Sequence, residues 1–272
     1  MGSATNLRLA RWGEGAIGLS QSTSSLSAVQ FVQQVLATGP KIAVFDCDGT
    51  LWSGDSGADF FYWEMEQGFI ASEIIPVIKH RYNEYLAGRV DELAICGEMI
   101  QINKGVEDAR LRRAAVEFFG KIVAHRIFPE MLKLVRQLTA QGCEVWAVSS
   151  TNNWVVEAGA AAFGIPAERV LAATLAVEDG LVTDRLLRVP TDELKQTAIE
   201  EVIARPVDAV FGNSMHDFAM LEKARDAYAI HPNRDLEVRA AELGWTTYWP
   251  DGTPSPSKKI VDPAVDHGEH SH

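Results

Sequence analysis

The strongest constraint on the fold is a regular alternation of short apolar runs and helical stretches along the chain. The pattern predicts buried strands, which we place at residues 41–46, 143–149, 208–211, 227–230 and 246–249. Helical patterns lie between them, at 130–140, 153–163, 192–204, 216–224 and 235–243. Strands that alternate with helices in this way predict an α/β fold, a doubly wound, Rossmann-like parallel sheet with helices on both faces.

Three segments depart from this alternation. Residues 59–125 show the helical spacing of apolar residues without a strand signal, so an all-helical insert is expected after the first strand. The runs 171–177 and 181–187 predict a β-hairpin, because an Asp-Gly pair between them suits a tight turn. A short helix is also expected at 25–36, ahead of the first strand.

The charge and the cysteines narrow the class of protein. The chain carries 25 basic and 37 acidic side chains, a net charge of −12, which argues against duplex nucleic acid or an anionic membrane as a partner. No run approaches the roughly 18 to 20 apolar residues of a membrane span, and no secretory signal is recognised. Cys47, Cys96 and Cys143 form no CxxC pair, so a cytoplasmic protein with reduced thiols is expected.

Three motifs are weak evidence for a ligand or metal site. Gly13-Glu-Gly15-Ala-Ile-Gly18 matches the dinucleotide-binding pattern GxGxxG, but no apolar strand precedes it. A calcium loop that begins at Asp46 fails, because its twelfth position is Gly57 instead of glutamate. The histidines of the C-terminal tail are interpreted as part of a solvated segment instead of a metal site.

Polar side chains follow the predicted strands, at the carboxyl ends where parallel sheets bind their ligands. These residues are Asp46, Asp48 and Thr50, then Ser149 and Ser150, then Lys195, and then Gly212, Asn213 and Asp217. Two carboxylates one residue apart suit a nucleophile that also binds metal and a neighbouring proton donor and acceptor. A hydroxyl, a lysine and the backbone N–H groups around Gly49 suit a phosphate group.

These segments resemble the four motifs of haloacid dehalogenase-like (HAD) hydrolases. The matching residues are Phe45-Asp46-Cys-Asp48-Gly-Thr50-Leu51, Val148-Ser149-Ser150, Lys195 and Phe211-Gly212-Asn213-Ser-Met-His-Asp217. The phosphoserine-phosphatase-like branch is the most similar, since its helical cap also lies between the first and second motifs. The resemblance spans residues 41–249. It implies an N-terminal extension with one helix (1–40), a core (41–50 and 129–250), a helical cap (51–128) and a polar tail (251–272).

The resemblance implies hydrolysis of a small phosphomonoester in two steps. Asp46 would attack phosphorus and form an aspartyl-phosphate, while Asp48 protonates the leaving alcohol and then activates water. Ser149 and Lys195 would hold the phosphoryl oxygens, and Mg²⁺ would neutralise charge beside Asp46. Dehalogenases of the superfamily lack the acid that Asp48 provides, so a phosphatase is expected.

The expected metal site departs from the family pattern at one position. In the family the metal is held by the first aspartate, the main-chain carbonyl of the second and an acidic residue of the fourth motif. The branch usually has Gly-Asp-x-x-x-Asp there, and this chain has Asn213 in the first acidic place. Asparagine can bind Mg²⁺ through its carbonyl oxygen with one negative charge fewer, or Asp217 can replace it. The expected ligands are drawn from Asp46, Asp48, Asn213 and Asp217.

Substrate recognition is expected from a further set of residues. Around the phosphate and the leaving group we expect Gly49, Thr50, Asp55, Ser149, Ser150, Lys195 and His216. Asp55 lies where phosphoserine phosphatases carry an acidic residue that meets the substrate's amino group, although a helix cap explains it equally well. Residues 91–102 hold no arginine or lysine to bind a carboxylate, which favours an amino-alcohol phosphate over phosphoserine. The aromatic residues Trp52 and 60–63 could frame an organic cation or simply form the core of the cap.

Two other functions stay open on the sequence alone. A non-catalytic phosphate-ligand binding protein of the same fold is suggested by Asn213, because the metal site would lose a charge. A serine hydrolase is suggested by Gly212-Asn-Ser214-Met-His216, which is one glycine short of the GxSxG motif. The chain offers that serine no clear base downstream, so the phosphatase hypothesis is favoured.

Overall fold

One sheet of seven strands carries the fold of residues 26–251, the part of the chain that the computed structural model describes. The strands are β1 (Ile42–Phe45), β2 (Glu144–Asn152), β3 (Val170–Glu178), β4 (Leu181–Arg188), β5 (Ala209–Gly212), β6 (Asp226–Ile230) and β7 (Thr246–Tyr248). Their order is β4-β3-β2-β1-β5-β6-β7, and all neighbours run parallel except the β3–β4 hairpin. The chain winds outward from β1 in both directions, which confirms the predicted doubly wound α/β fold.

Helices cover the faces of the sheet and form the segment between β1 and β2. They are α1 (Ala28–Ala37), α2 (Ser56–Glu66), α3 (Ile75–Leu86), α4 (Glu92–Gln101), α5 (Asp108–Phe118), α6 (Pro129–Ala140), α7 (Asn153–Phe163), α8 (Glu193–Val202), α9 (Phe218–Glu222) and α10 (Arg234–Leu243). A π-helical turn, Phe119–Val123, follows α5. In the described part of the chain, no helix has the length and apolar character needed to cross a bilayer.

The alternation of side chains along β1 builds apolar cores on both faces of the sheet. Ala43 and Phe45 belong to the cluster that includes residues of α1, α6 and α7, and Ile42 and Val44 belong to the cluster with residues of α8, α9 and α10. All four β1 side chains are buried. A continuous apolar run buried on both faces is typical of a central parallel strand. The loop that follows β1 is therefore anchored by a strand that is buried on both faces.

The helical insert, α2 to α5, rests on the β3–β4 hairpin as well as on the core. The Gln101 side chain at the end of α4 donates to the Asp184 carbonyl at 2.7 Å. Gly97 lets α4 approach β4 closely, because a Cβ at that position would lie 3.1 Å from Leu186 Cδ1. The insert also has an apolar cluster of its own, formed by Phe61, Ile70, Ile78 and Ile95. The hairpin and this cluster together fix α4 against the sheet.

Some predicted boundaries differ from the observed ones. The stretch predicted as a helix at 216–224 forms a 3₁₀ turn, Met215–Asp217, and then the short α9. The reason is that the Asp217 carboxylate accepts the backbone N–H groups of Asn213 and Ser214, which fixes a tight turn ahead of the helix. β2 continues to Asn152, beyond its predicted end. The GxGxxG segment and the tail histidines lie outside the described residues.

Candidate active site

Side chains from the ends of β1, β2 and β5, from the start of α8 and from the helical insert meet in one cleft of about 210 Å³. The predicted site residues that line it are Asp46, Asp48, Asp55, Ser149, Ser150, Lys195, Asn213 and His216. Gly49, Thr50 and Asp217 lie beside the cleft without lining it. The carboxyl edge of the sheet thus brings together residues that are far apart in the sequence.

Asp46 lies directly after β1 and is buried, with 5% of its surface exposed. Its Oδ1 accepts a hydrogen bond from Lys195 Nζ at 2.7 Å, and its Oδ2 accepts one from the Thr50 hydroxyl at 2.9 Å. Burial and the nearby Asp217 carboxylate raise the pKa of Asp46 to about 7, although Lys195 acts in the opposite direction. A buried and oriented carboxylate of this kind can act as a nucleophile.

Lys195 bridges two buried carboxylates. Its side chain is itself buried, and Nζ donates to Asp46 Oδ1 at 2.7 Å and to Asp217 Oδ1 at 2.5 Å. Burial lowers the pKa of this ammonium, but Asp217 and Asp46 outweigh the effect and raise the pKa above its usual range. Lys195 therefore carries a positive charge at the cleft, between the two carboxylates.

Asp217 points into the protein, whereas Asn213 faces the cleft. Asp217 is fully buried, and its Oδ2 accepts the backbone N–H groups of Asn213 at 2.8 Å and Ser214 at 3.1 Å, while the lysine holds Oδ1. Asn213 lines the cleft with Asp46 and Asp48. Within residues 26–251, no group of three or more Asp, Glu, His or Cys side chains is arranged to hold a metal ion. A metal ion here would need neutral oxygen ligands beside Asp46.

The loop after β1 makes a turn that requires Gly49. Its φ is 78°, and an added Cβ would lie 1.8 Å from Asn213 Nδ2. The Gly49 N–H donates to the Trp52 carbonyl at 2.7 Å, and the Thr50 N–H donates to the Cys47 carbonyl at 3.1 Å. These two N–H groups are therefore engaged inside the turn, and the absent side chain of Gly49 lets the loop approach Asn213.

The Asp48 carboxylate joins three segments. Its Oδ1 accepts the Trp52 indole N–H at 2.7 Å and the Ser56 backbone N–H, at the start of α2, also at 2.7 Å. Its Oδ2 accepts the Thr151 hydroxyl at 2.8 Å. Thr151 is absent from the predicted site, although a third hydroxyl residue in a row at the end of β2 is a signal that could have found it. The three segments hold Asp48 beside Asp46 in one orientation.

The two serines at the end of β2 have different partners. Ser149 is buried, and its Oγ accepts the Thr151 backbone N–H at 3.1 Å. Ser150 lines the cleft together with Glu92 of α4. One serine therefore stabilises the strand end, while the other faces the cleft beside the insert.

His216 links the core to the helical insert. Its Nε2 lies 2.7 Å from Glu92 Oε2, and its Nδ1 lies 2.8 Å from Asp192 Oδ1, just before α8. The hydrogen bond to Glu92 raises the pKa of His216 to about 9, against the effect of burial. Burial acts to raise the pKa of Glu92, but the hydrogen bond to His216 and the positive charges of His216 and Lys195 together outweigh it and lower that pKa. An imidazolium between two carboxylates thus holds α4 at the cleft at neutral pH.

We expect this link to weaken as the pH rises. Because the pKa of His216 is raised from 6.5 to about 9 on folding, its stabilisation is complete below pH 6.5 and is lost as the pH rises through about 9. The loss of unfolding free energy in His216→Gln should therefore be greatest near pH 6.5 and shrink toward pH 9, as measured by urea unfolding. His80→Gln, at an exposed position of α3, is the control. A loss that is the same at both pH values would contradict this link.

A second cavity opens from the cleft between α2, α3 and α4, and we call it the inner cavity. Five residues line both the cleft and the inner cavity: Asp55, Tyr85, Glu92, Ser150 and Thr151. Asp55 is also the N-cap of α2, since its Oδ1 accepts the Ala58 N–H at 2.8 Å. Burial and the Asp48 carboxylate raise the pKa of Asp55 to about 6. Asp55 therefore both caps a helix and presents an acidic group to the inner cavity.

The aromatic residues of the inner cavity differ from those suggested by the sequence. Of the suggested cluster, Phe61 alone lines it. The others pack into the apolar core or are exposed, namely Trp52, Phe60, Tyr62 and Trp63. Tyr82 and Tyr85 of α3 line the inner cavity instead. The cluster in the sequence is mostly core, and two of the three aromatic residues that line the inner cavity come from α3.

Comparisons with known proteins agree with this fold and span the segments that form the cleft. A family model for haloacid dehalogenase-like hydrolases matches residues 43–222. Histidinol-phosphatase of Neisseria meningitidis serogroup C is 24% identical over 215 residues, which cover 75% of this chain and 96% of that protein. A protein of unknown function from Bordetella pertussis Tohama I aligns with a TM-score of 0.68 at 21% identity, over 76% of this chain and 97% of that one. A phosphoserine phosphatase described as a phospho-aspartyl intermediate analogue aligns with a TM-score of 0.51 at 17% identity, over 76% and 92% of the two chains.

Proposed function

The chain belongs to the haloacid dehalogenase-like hydrolase family and is an enzyme of the phosphatase type, and we propose that it hydrolyses a small amino-alcohol phosphate with Mg²⁺ as cofactor. The observation that carries the proposal is the placement of Asp46. It is held between Lys195 and Thr50 at the end of β1, with Asp48 in the same cleft. Phosphoryl transfer through a carboxylate nucleophile uses this combination of nucleophile, positive charge and neighbouring acid.

The chemistry proceeds in two steps on Asp46. An oxygen of its carboxylate forms a bond to phosphorus as the bond to the leaving alcohol breaks, and Asp48 gives that alcohol its proton. Asp48 then takes a proton from water, which attacks phosphorus and breaks the bond to Asp46, releasing inorganic phosphate. Lys195 neutralises negative charge on the phosphoryl oxygens in both steps. The donors from Trp52 and Thr151 keep Asp48 oriented between the two roles.

The oxygen atoms at the cleft suit a magnesium ion. Mg²⁺ prefers carboxylate, carbonyl and water oxygens. We propose the Asp46 carboxylate, the Asp48 main-chain carbonyl and the Asn213 side-chain carbonyl as its protein ligands. Asp217 is left out of this set, because it is fully buried and, unlike Asp46 and Asn213, does not line the cleft. When bound, the ion would supply positive charge to the transferring phosphoryl group.

An amino-alcohol leaving group fits the charges of the two cavities. The carboxylates of Asp55 and Glu92 line both of them. Among the described residues that line the cleft, the basic side chains are Lys195 and His216. Carboxylates attract an ammonium group and repel the carboxylate of phosphoserine. The relative named histidinol-phosphatase is consistent with this class, since histidinol phosphate is itself an amino-alcohol phosphate.

Phosphate release from a panel of phosphomonoesters tests the proposal. With Mg²⁺ we expect turnover of phosphoethanolamine, phosphocholine or histidinol phosphate to exceed that of phosphoserine. A chelator should abolish turnover, and added Mg²⁺ should restore it, because the ion supplies charge that Asn213 does not. Turnover that persists in the chelator contradicts the proposed requirement for Mg²⁺. A preference for phosphoserine contradicts the proposed class of substrate.

Of the alternatives, a phosphate-ligand binding protein without catalysis is favoured by one observation, the neutral Asn213 in the cleft. It predicts binding of phosphate esters without phosphate release in excess Mg²⁺, which the same panel would detect.

The serine hydrolase has less support. The Ser214 side chain accepts the Asp217 backbone N–H, and both ring nitrogens of His216 face carboxylates, so this histidine is not placed as the base for that serine.

A further inference from the structure

Two buried oxygen atoms at the far end of the inner cavity lack hydrogen-bond partners among the described residues. They are Glu64 Oε1 and Asn103 Oδ1, and each side chain belongs to a residue that is only 2% exposed. Both residues line the inner cavity. A buried acceptor without a donor destabilises the fold, because it has lost its hydrogen bonds to water and gained none in return. Two of them facing one cavity are the mark of a place that a donor group occupies.

The inner cavity runs from the catalytic cleft to this pair along two helices. Phe61 and Glu64 lie on one face of α2, whose N-cap is Asp55. Glu92 begins α4, and Asn103 lies just after its end. Both helices begin at the cleft and end at the pair. Since the helical rise is about 1.5 Å per residue, Asp55 and Glu64 are separated by about 13 Å along α2. A two-carbon leaving group cannot extend from the cleft to Glu64, whereas a longer one can.

The electrostatics of the inner cavity favour an anion at one end and a cation at the other. The N-termini of α2 and α4 lie at the cleft, where the phosphate would bind, and their C-termini lie near Glu64 and Asn103. Helix dipoles therefore place positive potential at the cleft and negative potential at the far end. None of the described residues that line the inner cavity is lysine or arginine.

The state of Glu64 agrees with a missing cationic partner. Burial raises the pKa of Glu64 well above its usual range, and the neighbouring Asn103 amide opposes this only in part. A cation beside Glu64 would favour its carboxylate form and provide donors for both unpartnered oxygens. The inner cavity is small, about 80 Å³, which suits a slender chain or a small ring.

Given the phosphatase function proposed above, on which this rests, we propose that Glu64 and Asn103 bind a cationic nitrogen group at the far end of the leaving alcohol. The substrate class is then a phosphomonoester whose alcohol carries an N–H cation several bonds from the ester oxygen. Glu64 supplies the charge and Asn103 a second acceptor. Glu64 is a specificity residue in this arrangement, since it meets the leaving group far from the reacting phosphorus.

A series of matched substrates tests the proposal. Aminoethyl, aminopropyl, aminobutyl, aminopentyl and aminohexyl phosphates are each compared with the alkyl phosphate of the same length, and kcat/KM is measured with Mg²⁺. In the wild type the ratio of kcat/KM for the amine to that for its alkyl counterpart should rise as the chain lengthens. In Glu64→Gln the ratio for the long chains should fall by about ten- to a hundredfold, the range expected for one charge-assisted hydrogen bond. The ratio for aminoethyl phosphate should change much less.

Glu66→Gln is the matched control, because Glu66 is exposed on the same helix. It should keep the wild-type ratios at all lengths. A Glu64→Gln protein that folds and keeps the wild-type ratio for the long amines overturns the proposal, as expected if the pair only binds water. If Glu64→Gln does not fold, the wild-type series decides alone, and a ratio that does not increase with length overturns the proposal. Absence of phosphate release from every ester would instead contradict the phosphatase function itself.

Discussion

Replacing Asp46 with asparagine should lower the turnover of any phosphomonoester by about 10⁴-fold or more, the size of effect seen when a catalytic nucleophile is removed. An amide cannot form the bond to phosphorus that the carboxylate forms. The fold should survive the change. The asparagine oxygen can still accept the Lys195 hydrogen bond, and removal of one negative charge relieves the repulsion from Asp217 that helps to raise the pKa of Asp46.

The measurement is phosphate release from an aryl phosphate and from an amine phosphate, together with the thermal unfolding midpoint. Asp235→Asn, at an exposed position in the first turn of α10, is the matched control and should behave as the wild type. Asp46→Asn activity within tenfold of the wild type would rule out Asp46 as the nucleophile. An unchanged midpoint with lost activity is the expected result.

Replacing Lys195 with methionine should lower the free energy of unfolding by about 3 to 5 kcal/mol and also abolish turnover. The methionine is similar in size but cannot donate to Asp46 and Asp217, which lie 2.7 and 2.5 Å from Nζ. Two buried carboxylates would then face each other without a compensating charge. The loss is large because such carboxylates keep their desolvation cost when their partner is removed.

Denaturant unfolding of two further variants makes this test specific. Lys195→Met combined with Asp217→Asn removes one of the unpaired charges, so part of the stability should return while turnover stays absent. Lys104→Met breaks the exposed ion pair with Asp184, whose side chains are 62% and 58% exposed, and should cost at most about 1 kcal/mol. A Lys195→Met protein no less stable than Lys104→Met would show that the buried network contributes little.

Much of the fold follows from local patterns in the sequence. The strand at 41–46 was predictable because a short apolar run between a proline and a glycine is typical of a buried strand in an α/β protein. The hairpin was predictable because an Asp-Gly pair favours the positive φ angles of a tight hairpin turn. Asp179 and Gly180 adopt such angles, with φ of 50° and 79°. The shortened helix at 216–224 was not, because it depends on the Asp217 carboxylate turning back to two backbone N–H groups. Periodicity does not report such a contact.

The candidate site also has a part that could be predicted from the sequence and a part that could not. The residues at the strand ends were predictable, because parallel strands bring their carboxyl ends to one edge whatever the loops do. Contacts with the insert were not, since they depend on how α2 and α4 pack over the cleft. The pairing of His216 with Glu92 is one example. Glu64 is another, although a charged residue on the same helical face as Phe61, and therefore on a buried stripe, is a signal that could have identified it.

The contact between the helical insert and the β3–β4 hairpin limits how such a chain could be recombined with its relatives. Gln101 is matched to Asp184, and Gly97 is matched to Leu186, across segments that are distant in the sequence. An insert grafted alone from another hydrolase would meet a hairpin shaped for different helices. The transferable module is therefore the insert together with the hairpin, so that these two stretches must be inherited or exchanged as one.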